Sequence, residues 1–379
     1  MDANLTTEMN HMPTPRTPSV RRSGRPQKKQ GPISITDVDR SGIERHDAPA
    51  PIPAPHVFEC QGTLDPPAVS TIVRRSLTTP HLWEVELRVD QGRLHSKASP
   101  ELQRIAVSRQ DLLARRATES APSMPSGGGS FATRPRPTQL RERPKLRFGN
   151  IEYEPTTVFA PDGRKPYYDT RYPWRCLVWI ETAMGWSGSG VLIGPRHVLT
   201  ASHCVNWPSG WLKAHVLHSG AGDLDVASGT HAYASTHVPR GRISDSDSDE
   251  DYAVIVLDRP IGGQFGWYGV KTYDSAWDDA TSKWWSVGYP QDVSFPGATP
   301  CFQTNFMLNE LGADFGSARL IRSETFDNWP GQSGSPVFGF WPTGPYVVGV
   351  VSGEGPNYNY ISGGSLLTSL VHQARTEHP

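Results

Sequence analysis

The hydrophobic residues of this chain follow a strand-like pattern from about residue 148 to the C-terminus. Short apolar runs, such as 176–180 (CLVWI) and 190–193 (GVLI), are separated by Gly, Pro, Asn and Asp, and few stretches repeat with a helical period. Apolar runs of this length between turn residues are typical of β-strands. The pattern therefore predicts an all-β unit over residues 148–379.

Residues 1–56 have a different pattern, rich in Pro, Ser, Arg and Asp, and proline alternates with other residues over 49–55. This composition favours an extended, disordered chain. A basic cluster at 21–29 (RRSGRPQKK) has no aromatic residues among its charges, which is typical of a solvated tail rather than a nucleic-acid site. We expect a disordered tail here and no nucleic-acid partner.

Hydrophobic residues become denser between positions 57 and 120. The alternating run 82–89 (LWEVELRV) predicts a strand, and residues 100–113 predict a helix. These elements indicate a small pro-segment over 57–120. A Gly/Ser stretch followed by an Arg/Pro run then predicts a flexible linker over 121–147.

Charge and tryptophan content separate the chain into the same two parts. The formal net charge of −1 combines +8 over residues 1–147 (23 Lys and Arg, 15 Asp and Glu) with −9 over residues 148–379 (14 and 23). Eleven of the twelve tryptophans follow residue 147. Because aromatic side chains supply much of the area that a core buries, we place the main folded unit in the later part.

Metal sites and a disulfide framework have only weak signals. The cysteines are too few for a scaffold and lack CxxC spacing; they are Cys60, Cys176, Cys204 and Cys301. One bridge in the later part and reduced buried thiols both stay open. His215 and His218 lack the Glu of a zinc peptidase, and the acidic run 244–250 lacks the Gly and Glu of an EF-hand loop. We expect strand or loop roles for the histidines, a solvated acidic loop and no metal site.

The N-terminus (MDANLTTE) lacks the basic start and apolar run of a signal peptide. No later stretch reaches the length of a membrane span. We therefore expect no membrane span, and the compartment stays open.

A serine stands between two glycines in residues 331–336 (GQSGSP). Gly331 and Gly334 can adopt conformations that a Cβ forbids, so successive amide N–H groups can point into one concavity with the Ser333 hydroxyl at its rim. An oxyanion hole needs this geometry. Because such a turn is also a common surface loop, its meaning depends on other residues.

Two upstream motifs supply the partners that a nucleophilic serine needs. His203 follows an apolar strand in 200–204 (TASHC), which can hold an imidazole rigidly. Asp251 opens the apolar strand 251–255 (DYAVI), where a carboxylate can orient a histidine and stabilise its protonated form. The order His203, Asp251, Ser333 is the chymotrypsin order, which differs from that of α/β-hydrolases and subtilisins.

With these motifs, residues from about 150 to 379 resemble the chymotrypsin-like serine peptidases, and more closely their glutamyl-endopeptidase-type branch. Residues 158–164 (VFAPDGR) are similar to the mature start of that branch, and 188–194 (GSGVLIG) adds weaker support. The resemblance implies an all-β fold of two six-stranded antiparallel β-barrels with the triad between them. Residues 366–371 could supply the C-terminal helix that follows. About residues 1–147 the resemblance says nothing.

The resemblance also implies a serine endopeptidase that cleaves proteins or peptides through an acyl-enzyme on Ser333. His203 would act as general base and acid, Asp251 would hold the histidine tautomer, and the N–H groups of Gly331 and Ser333 would form the oxyanion hole. No organic cofactor is implied, and we expect a monomer. The resemblance to this family suggests secretion, which the N-terminal sequence opposes.

Substrate preference depends on three further positions. Ser352 and Gly353 match the family strand that lines the specificity pocket and pairs with the substrate backbone. Glutamyl-specific relatives place a histidine near this strand, and none stands in 348–353, so strict glutamyl specificity is not expected. Asp327 matches the acid with which trypsin-like enzymes bind Arg or Lys, and a structural, hydrogen-bonded Asp is the alternative.

Two positions depart from the family pattern. Gln332 stands where trypsin-like enzymes carry the Asp that pairs with a freed N-terminal amine. We therefore expect activation by removal of the N-terminal extension from the cleft, after Arg147 or nearer Val158, which makes the extension a candidate inhibitor. Cys204 lacks its usual partner, because Gly188 stands at that position.

A catalytically silent binding module of the same fold, held closed by its N-terminal extension, is the alternative function. The intact triad of residue types argues against it.

Overall fold

The structure is a computed structural model of the 379-residue chain. Residues 31–379 form one compact unit, which contains the strands and helices given below. The structure describes residues 30–33, 44–45, 70–75, 83–88, 100–117, 119–126, 130–138, 147–148, 151–152, 158–159, 161–219, 222–240, 248–280, 283–293, 299–310, 318–355 and 357–379.

The strands before the first barrel are mostly short. They are β1 Glu44–Arg45, β2 Ser70–Arg75, β3 Trp83–Arg88, β4 Gln103–Ala106, β5 Glu119–Ser120, β6 Ser123–Met124, β7 Arg147–Phe148, β8 Ile151–Glu152 and β9 Lys165–Pro166. The predicted strand at 82–89 is confirmed as β3, which pairs with β2.

Six strands form a closed antiparallel barrel. They are β10 Leu177–Thr182, β11 Ser187–Gly194, β12 His197–Thr200, β13 Leu212–Val216, β14 Asp225–Ala234 and β15 Ala253–Leu257. Their order is β13-β10-β11-β12-β15-β14, and β14 pairs back to β13. All residues of β12 and β15 are buried, which explains why both read as continuous apolar runs. The prediction of a six-stranded barrel is confirmed for this half.

The second half is an open sheet that forms a half-barrel. Its strands are β16 Gly269–Lys271, β17 Trp284–Gly288, β18 Cys301–Phe306, β19 Asn309–Glu310, β20 Ala318–Ser323, β21 Pro336–Trp341, β22 Gly344–Glu354 and β23 Asn359–Gly364. The order is β19-β20-β23-β22-β21-β17-β18-β9, with β16 beside β22. Among the described residues β18 and β20 pair with β9 and β19 rather than with each other, so the expected second closed barrel is a half-barrel.

Among the described residues, three α-helices accompany the sheets: α1 Arg109–Arg115, α2 Gly262–Phe265 and α3 Ser365–Glu377. The predicted C-terminal helix is confirmed as α3. Its buried side chains, among them Leu367 and Leu370, pack into the core.

An aromatic cluster joins the two halves. The fully buried Trp174 lies just before β10, and its ring centroid is 5.3 Å from that of Trp285 and 6.2 Å from that of Phe338, both in the second sheet. Tyr167 lies at 6.3 Å on another side of the same indole. Each such pair contributes about 0.5–1.5 kcal/mol beyond the burial of its area. The cluster therefore fixes the orientation of the two halves relative to each other.

The expected helix at 100–113 is corrected by the structure. Residues 103–106 form β4, which pairs in parallel with β14, and the helix α1 begins only at Arg109. Residues 231–234 of β14 lie beyond its pairing with β13, and this free edge offers backbone hydrogen bonds that override the local helical pattern. Leu112, the one apolar side chain of α1 that turns inward, is fully buried.

Part of the predicted linker over 121–147 is packed against the peptidase-like fold. Met124 and Phe131 are buried, and the Trp174 indole N–H donates to the Ala132 carbonyl at 2.9 Å. Apolar side chains within the Gly/Ser and Arg/Pro stretch account for this packing. The folded unit therefore includes described residues from 100 to 138 as well as the part after 158.

Some sequence expectations fall on other residues. The basic cluster 21–29, the proline run 49–55 and residues 244–247 of the acidic run lie outside the described residues. The end of the acidic run is not solvated as expected, because Asp249 and Glu250 are fully buried. Glu250 is compensated by Arg109 at 2.5 Å and by the Thr236 hydroxyl at 2.8 Å.

Candidate active site

The histidine and the acid predicted from the sequence are in contact. β12 and β15 are neighbours, with Thr200 opposite Ala253, so His203 just after β12 lies beside Asp251 just before β15. Asp251 Oδ2 is 2.6 Å from His203 Nδ1, and Asp251 Oδ1 accepts from the His203 backbone N–H at 2.9 Å. The acid therefore fixes both the ring and the backbone of the histidine.

Both groups are removed from water, since Asp251 is fully buried and His203 is 6% exposed. Burial lowers the pKa of His203, but the negative charge and hydrogen bond of Asp251 raise it by more, so its pKa lies above the ordinary value. The carboxylate thus stabilises the imidazolium that would form when His203 accepts a proton. Because Nδ1 faces Asp251, Nε2 is the nitrogen left for that proton.

Ser352 has a contact that the sequence did not predict. Its hydroxyl donates to Asp251 Oδ2 at 2.7 Å. The residue was expected to lie on the strand that lines the substrate pocket, and its side chain adds a contact between that strand and the acid. Gly353, the next residue of β22, has open space where a Cβ would stand.

Ser333 lies on the predicted turn, partly exposed, between β20 and β21. Gly331 and Gly334 have φ angles of +98° and +80°. A Cβ on Gly331 would lie 2.3 Å from the Tyr289 carbonyl oxygen, and one on Gly334 would lie 2.2 Å from that of Ser189. Both positions therefore require glycine for their backbone conformation and for lack of space.

The amides of this turn divide into two groups. Those of Gln332 and Gly334 donate to the carbonyls of Trp329 at 3.0 Å and Val351 at 2.8 Å. Those of Gly331 and Ser333 have no acceptor among the described residues. The two amides predicted to form an oxyanion hole are thus available for a ligand oxygen.

Residues of the first barrel contact the serine turn. The Ser189 hydroxyl donates to the Gly331 carbonyl at 2.8 Å and accepts from the Tyr289 amide at 2.9 Å. The Cys204 thiol, next to His203, lies 3.5 Å from the Ser333 carbonyl oxygen. These contacts bring the serine turn to the end of β12 that carries the histidine.

Arg164 reaches the turn from the segment before the first barrel, and no sequence pattern indicates this contact. Its guanidinium donates to Gln332 Oε1 at 3.2 Å and binds the carboxylates of Asp162 at 3.0 Å and Asp292 at 2.5 Å. Burial lowers the pKa of Arg164, and the two carboxylates raise it by more, so it stays charged. Gln332 is therefore fixed by a buried cation rather than by a freed N-terminal amine.

Asp327 is buried, and both of its carboxylate oxygens accept hydrogen bonds from other parts of the chain. Its Oδ1 accepts from the Phe159 amide at 2.7 Å, and its Oδ2 accepts from the Gly163 amide at 2.7 Å and Gln303 Nε2 at 3.0 Å. The side chain is 1% exposed, and this burial raises its pKa despite the two backbone donors. The geometry supports the structural alternative, because both oxygens already have donors.

The three described cysteines, Cys176, Cys204 and Cys301, are buried, and Cys176 and Cys204 are free thiols, so no bridge joins any two of the three. A Cβ on Gly188 would lie 2.6 Å from Cys204 Sγ, which is the space that a bridging partner would need.

One group outside the triad has the composition of a metal site. His215, His218 and Asp223 each offer a ligand atom within 4.8 Å of the others. The two histidines were expected in strand or loop roles. The sequence pattern that indicates this group is the HxxH pair followed by an aspartate five residues later. No helix in the described part of the chain is long and apolar enough to cross a membrane.

The sequence of the chain is similar to those of known peptidases. Residues 188–344 match the family model described as trypsin-like peptidase domain. The chain is 27% identical over 221 residues to the extracellular metalloprotease of Bacillus subtilis (strain 168), covering 54% of this chain and 65% of that protein. It is 31% identical over 195 residues to the glutamyl endopeptidase of Bacillus licheniformis, covering 49% and 56%. The chain thus spans less than two thirds of either relative.

Among solved structures, a Glu endopeptidase in complex with MPD superposes with a TM-score of 0.47 and 22% identity, covering 58% of this chain and 99% of that one.

Proposed function

We propose that the trypsin-like peptidase domain of this chain, which is of the chymotrypsin-like, glutamyl-endopeptidase type, is an active serine endopeptidase. The observation that carries the proposal is the buried hydrogen bond of 2.6 Å between His203 Nδ1 and Asp251 Oδ2, beside a serine turn with two unpaired amides. A binding module would have no need to keep a buried carboxylate on an imidazole that lies next to this serine turn.

In this mechanism Ser333 Oγ attacks the carbonyl carbon of the peptide bond while its proton passes to His203 Nε2. Asp251 holds the tautomer that presents this nitrogen and stabilises the imidazolium. The amides of Gly331 and Ser333 donate to the oxyanion. His203 then gives the proton to the leaving amine, and water, activated by the same nitrogen, releases the acyl group from Ser333.

The preference for the residue before the scissile bond is proposed to come from groups other than Asp327. That carboxylate is engaged by two backbone amides and Gln303, so a substrate Arg or Lys would have to displace them. We expect no strong basic preference. The name of the Bacillus licheniformis relative suggests an acidic preference, but residues 348–353 contain no histidine to bind a substrate carboxylate.

The N-terminal extension is proposed to regulate the domain. Of its described residues, β4 pairs with β14, and Arg104 Nε donates to the carbonyl of Asn206, three residues after His203, at 2.7 Å. Residues 100–138 are therefore bound to the domain and would stay associated after cleavage near Arg147 or Val158. Equal activity of full-length and cleaved protein would contradict a regulatory role.

The test is a mass-spectrometric map of cleavage sites in a complex peptide mixture, with wild-type protein beside Ser333→Ala. We expect cuts by the wild type only, and the residue before each cut reports the preference. If neither protein cuts, even after residues 1–147 are removed, the catalytically silent binding module replaces this proposal.

A further inference from the structure

A cluster of two histidines and an aspartate lies at the edge of the first barrel, outside the triad. His215 is on β13, and His218 and Asp223 are in the β13–β14 connection. Asp223 Oδ2 is 2.9 Å from His215 Nδ1, and Asp223 Oδ1 is 2.6 Å from His218 Nδ1. One carboxylate is thus shared between two imidazoles, each by its Nδ1.

The other nitrogen of His215 also faces an acid. Nε2 of this ring lies 3.2 Å from Glu181 Oε2 on the neighbouring strand β10. A neutral imidazole has one N–H and one lone pair, so it cannot satisfy carboxylate oxygens at both nitrogens. Contact of both ring nitrogens with carboxylates therefore requires a positive charge at the site, from a second ring proton or from a bound metal ion.

The backbone is bent to bring the two rings together. Side chains of a regular strand alternate between faces, so positions 215 and 218 would point to opposite sides. Leu217, fully buried, has φ +45°, which is costly for a residue of its size and turns the chain so that His218 returns to the face of His215. Trp179 stacks on His218 with ring centroids 4.3 Å apart and holds the ring in place.

We propose that His215, His218 and Asp223 bind a divalent transition-metal ion of the zinc class. Two imidazole nitrogens and one carboxylate oxygen suit zinc, whereas calcium and magnesium prefer oxygen ligands. Ligand atoms at about 2.0–2.1 Å from zinc are about 3.3 Å apart in a tetrahedron. The three ligand atoms here all lie within 4.8 Å of one another, so small side-chain movements bring them to that spacing. The three side chains are 13–18% exposed, which leaves a path for the ion and a fourth position for water.

Glu181 acts as a positioning residue for this site. With His215 Nδ1 on the metal, the Nε2–H donates to Glu181, and this hydrogen bond selects the tautomer and orients the ring. Glu181 itself is on a neighbouring strand and need not touch the ion. Its removal is expected to weaken binding about tenfold without changing the number of ions bound.

The test uses the full chain without a polyhistidine tag, stripped with EDTA, in a Ser333→Ala background that prevents autolysis. Isothermal titration with zinc chloride should give one ion per chain, and cobalt should give the visible absorption of a tetrahedral ion. Zinc at a hundredfold excess over Kd should raise Tm by about 5 °C.

His218→Ala and the isosteric Asp223→Asn should each weaken zinc binding at least about 100-fold, and Glu181→Gln about tenfold. His372→Ala, which removes an exposed histidine on α3, is the matched control and should bind as the parent does. The proposal is overturned if the parent protein binds no zinc above the background, in which case the cation is a proton. Unchanged affinity in both His218→Ala and Asp223→Asn, with their unfolding temperatures in EDTA near that of the parent, would also overturn it.

Discussion

The two halves of the fold hold the residues of the proposed triad in different ways. The first barrel supplies His203 and Asp251 from the ends of adjacent strands, and the closed ring of six strands keeps them side by side. The second half presents Ser333 on a turn between strands, shaped by two glycines with positive φ. Closure of a sheet fixes the base and the acid, whereas the nucleophile depends on contacts made to its turn from elsewhere.

Those contacts come from distant parts of the sequence. Arg164 binds Gln332 and Gly163 binds Asp327 across more than 160 residues, and Ser189 binds the Gly331 carbonyl across 142. This difference predicts that substitutions at the histidine and its acid should lower kcat without lowering the stability of the fold. Damage to the contacts of the turn should reduce both.

The largest expected effect is that of Asp251→Asn. Loss of the charge and a changed histidine tautomer should lower kcat about 10⁴-fold, by analogy with the same change in the general serine-peptidase triad. Because neutral His203 is the base, activity rises as the pH exceeds its pKa. Asp251 raises that pKa, so the residual activity of the variant should rise at a lower pH than that of the wild type. An unchanged pH profile of kcat/KM would argue against this pairing.

Arg164→Met should be the most damaging change on the nucleophile side. It leaves Asp162 and Asp292 without their buried cation and Gln332 without a donor. Breaking such a buried pair costs about 3 kcal/mol, and displacement of the turn should lower kcat by about 10- to 100-fold. Urea unfolding and steady-state kinetics measure the two effects.

Arg259→Met is the matched control, since it breaks an ion pair with Asp225 on the first barrel that is partly exposed. It should cost about 1 kcal/mol or less and leave kcat unchanged. If the two arginine variants lost equal stability and equal kcat, the proposed difference in how the two halves hold the triad residues would be contradicted.

A substitution of His197 tests the contact between the first barrel and α3. It is fully buried and its Nε2 lies 3.2 Å from the Ala374 carbonyl oxygen. Burial, and then the charge of Arg375, lower its pKa to about 3. The unfolded chain binds the proton near pH 6.5, so stability is complete above that value and is lost as the pH falls toward 3.

His197→Gln should therefore lose less stability than the wild type between pH 7.5 and pH 5, by about 2 kcal/mol at pH 5. Chemical unfolding at the two pH values measures this difference. His372→Gln on the exposed face of α3 should behave as the wild type does.

Ser352→Ala should have the smallest of these effects. It removes the one hydroxyl that crosses from the second sheet to Asp251, and leaves the two bonds from His203. Loss of a hydrogen bond to a carboxylate should lower kcat about tenfold with an unchanged KM. A changed cleavage preference instead would return Ser352 to the pocket role expected from the sequence.

Much of the first barrel could be predicted from sequence, because its strands are continuous apolar runs and its two catalytic residues stand at strand ends. The glycines around Ser333 predicted the shape of its turn for the same local reason. Residues 103–106 were wrongly predicted as helix because only the free edge of β14 makes them a strand. A local pattern carries no information about such a partner.

The same limit applies to the charged residues. Nothing near Arg164 in the sequence indicates Gln332, and nothing near Glu250 indicates Arg109. The acidic run was expected to be solvated, since its partner lies more than 100 residues away. His215 and His218 were expected in strand or loop roles, and their approach to each other could not be predicted because the backbone turn at Leu217 has no signature in residue type.

The most direct test of the account is covalent labelling with a fluorophosphonate, which reacts with activated serines. The intact mass of the wild-type protein should show one adduct per chain, located at Ser333 by peptide mapping, and His203→Ala should react at least about 10³-fold more slowly. An adduct at another residue, or equal labelling rates in the two proteins, would contradict the claim that the two halves meet to activate Ser333.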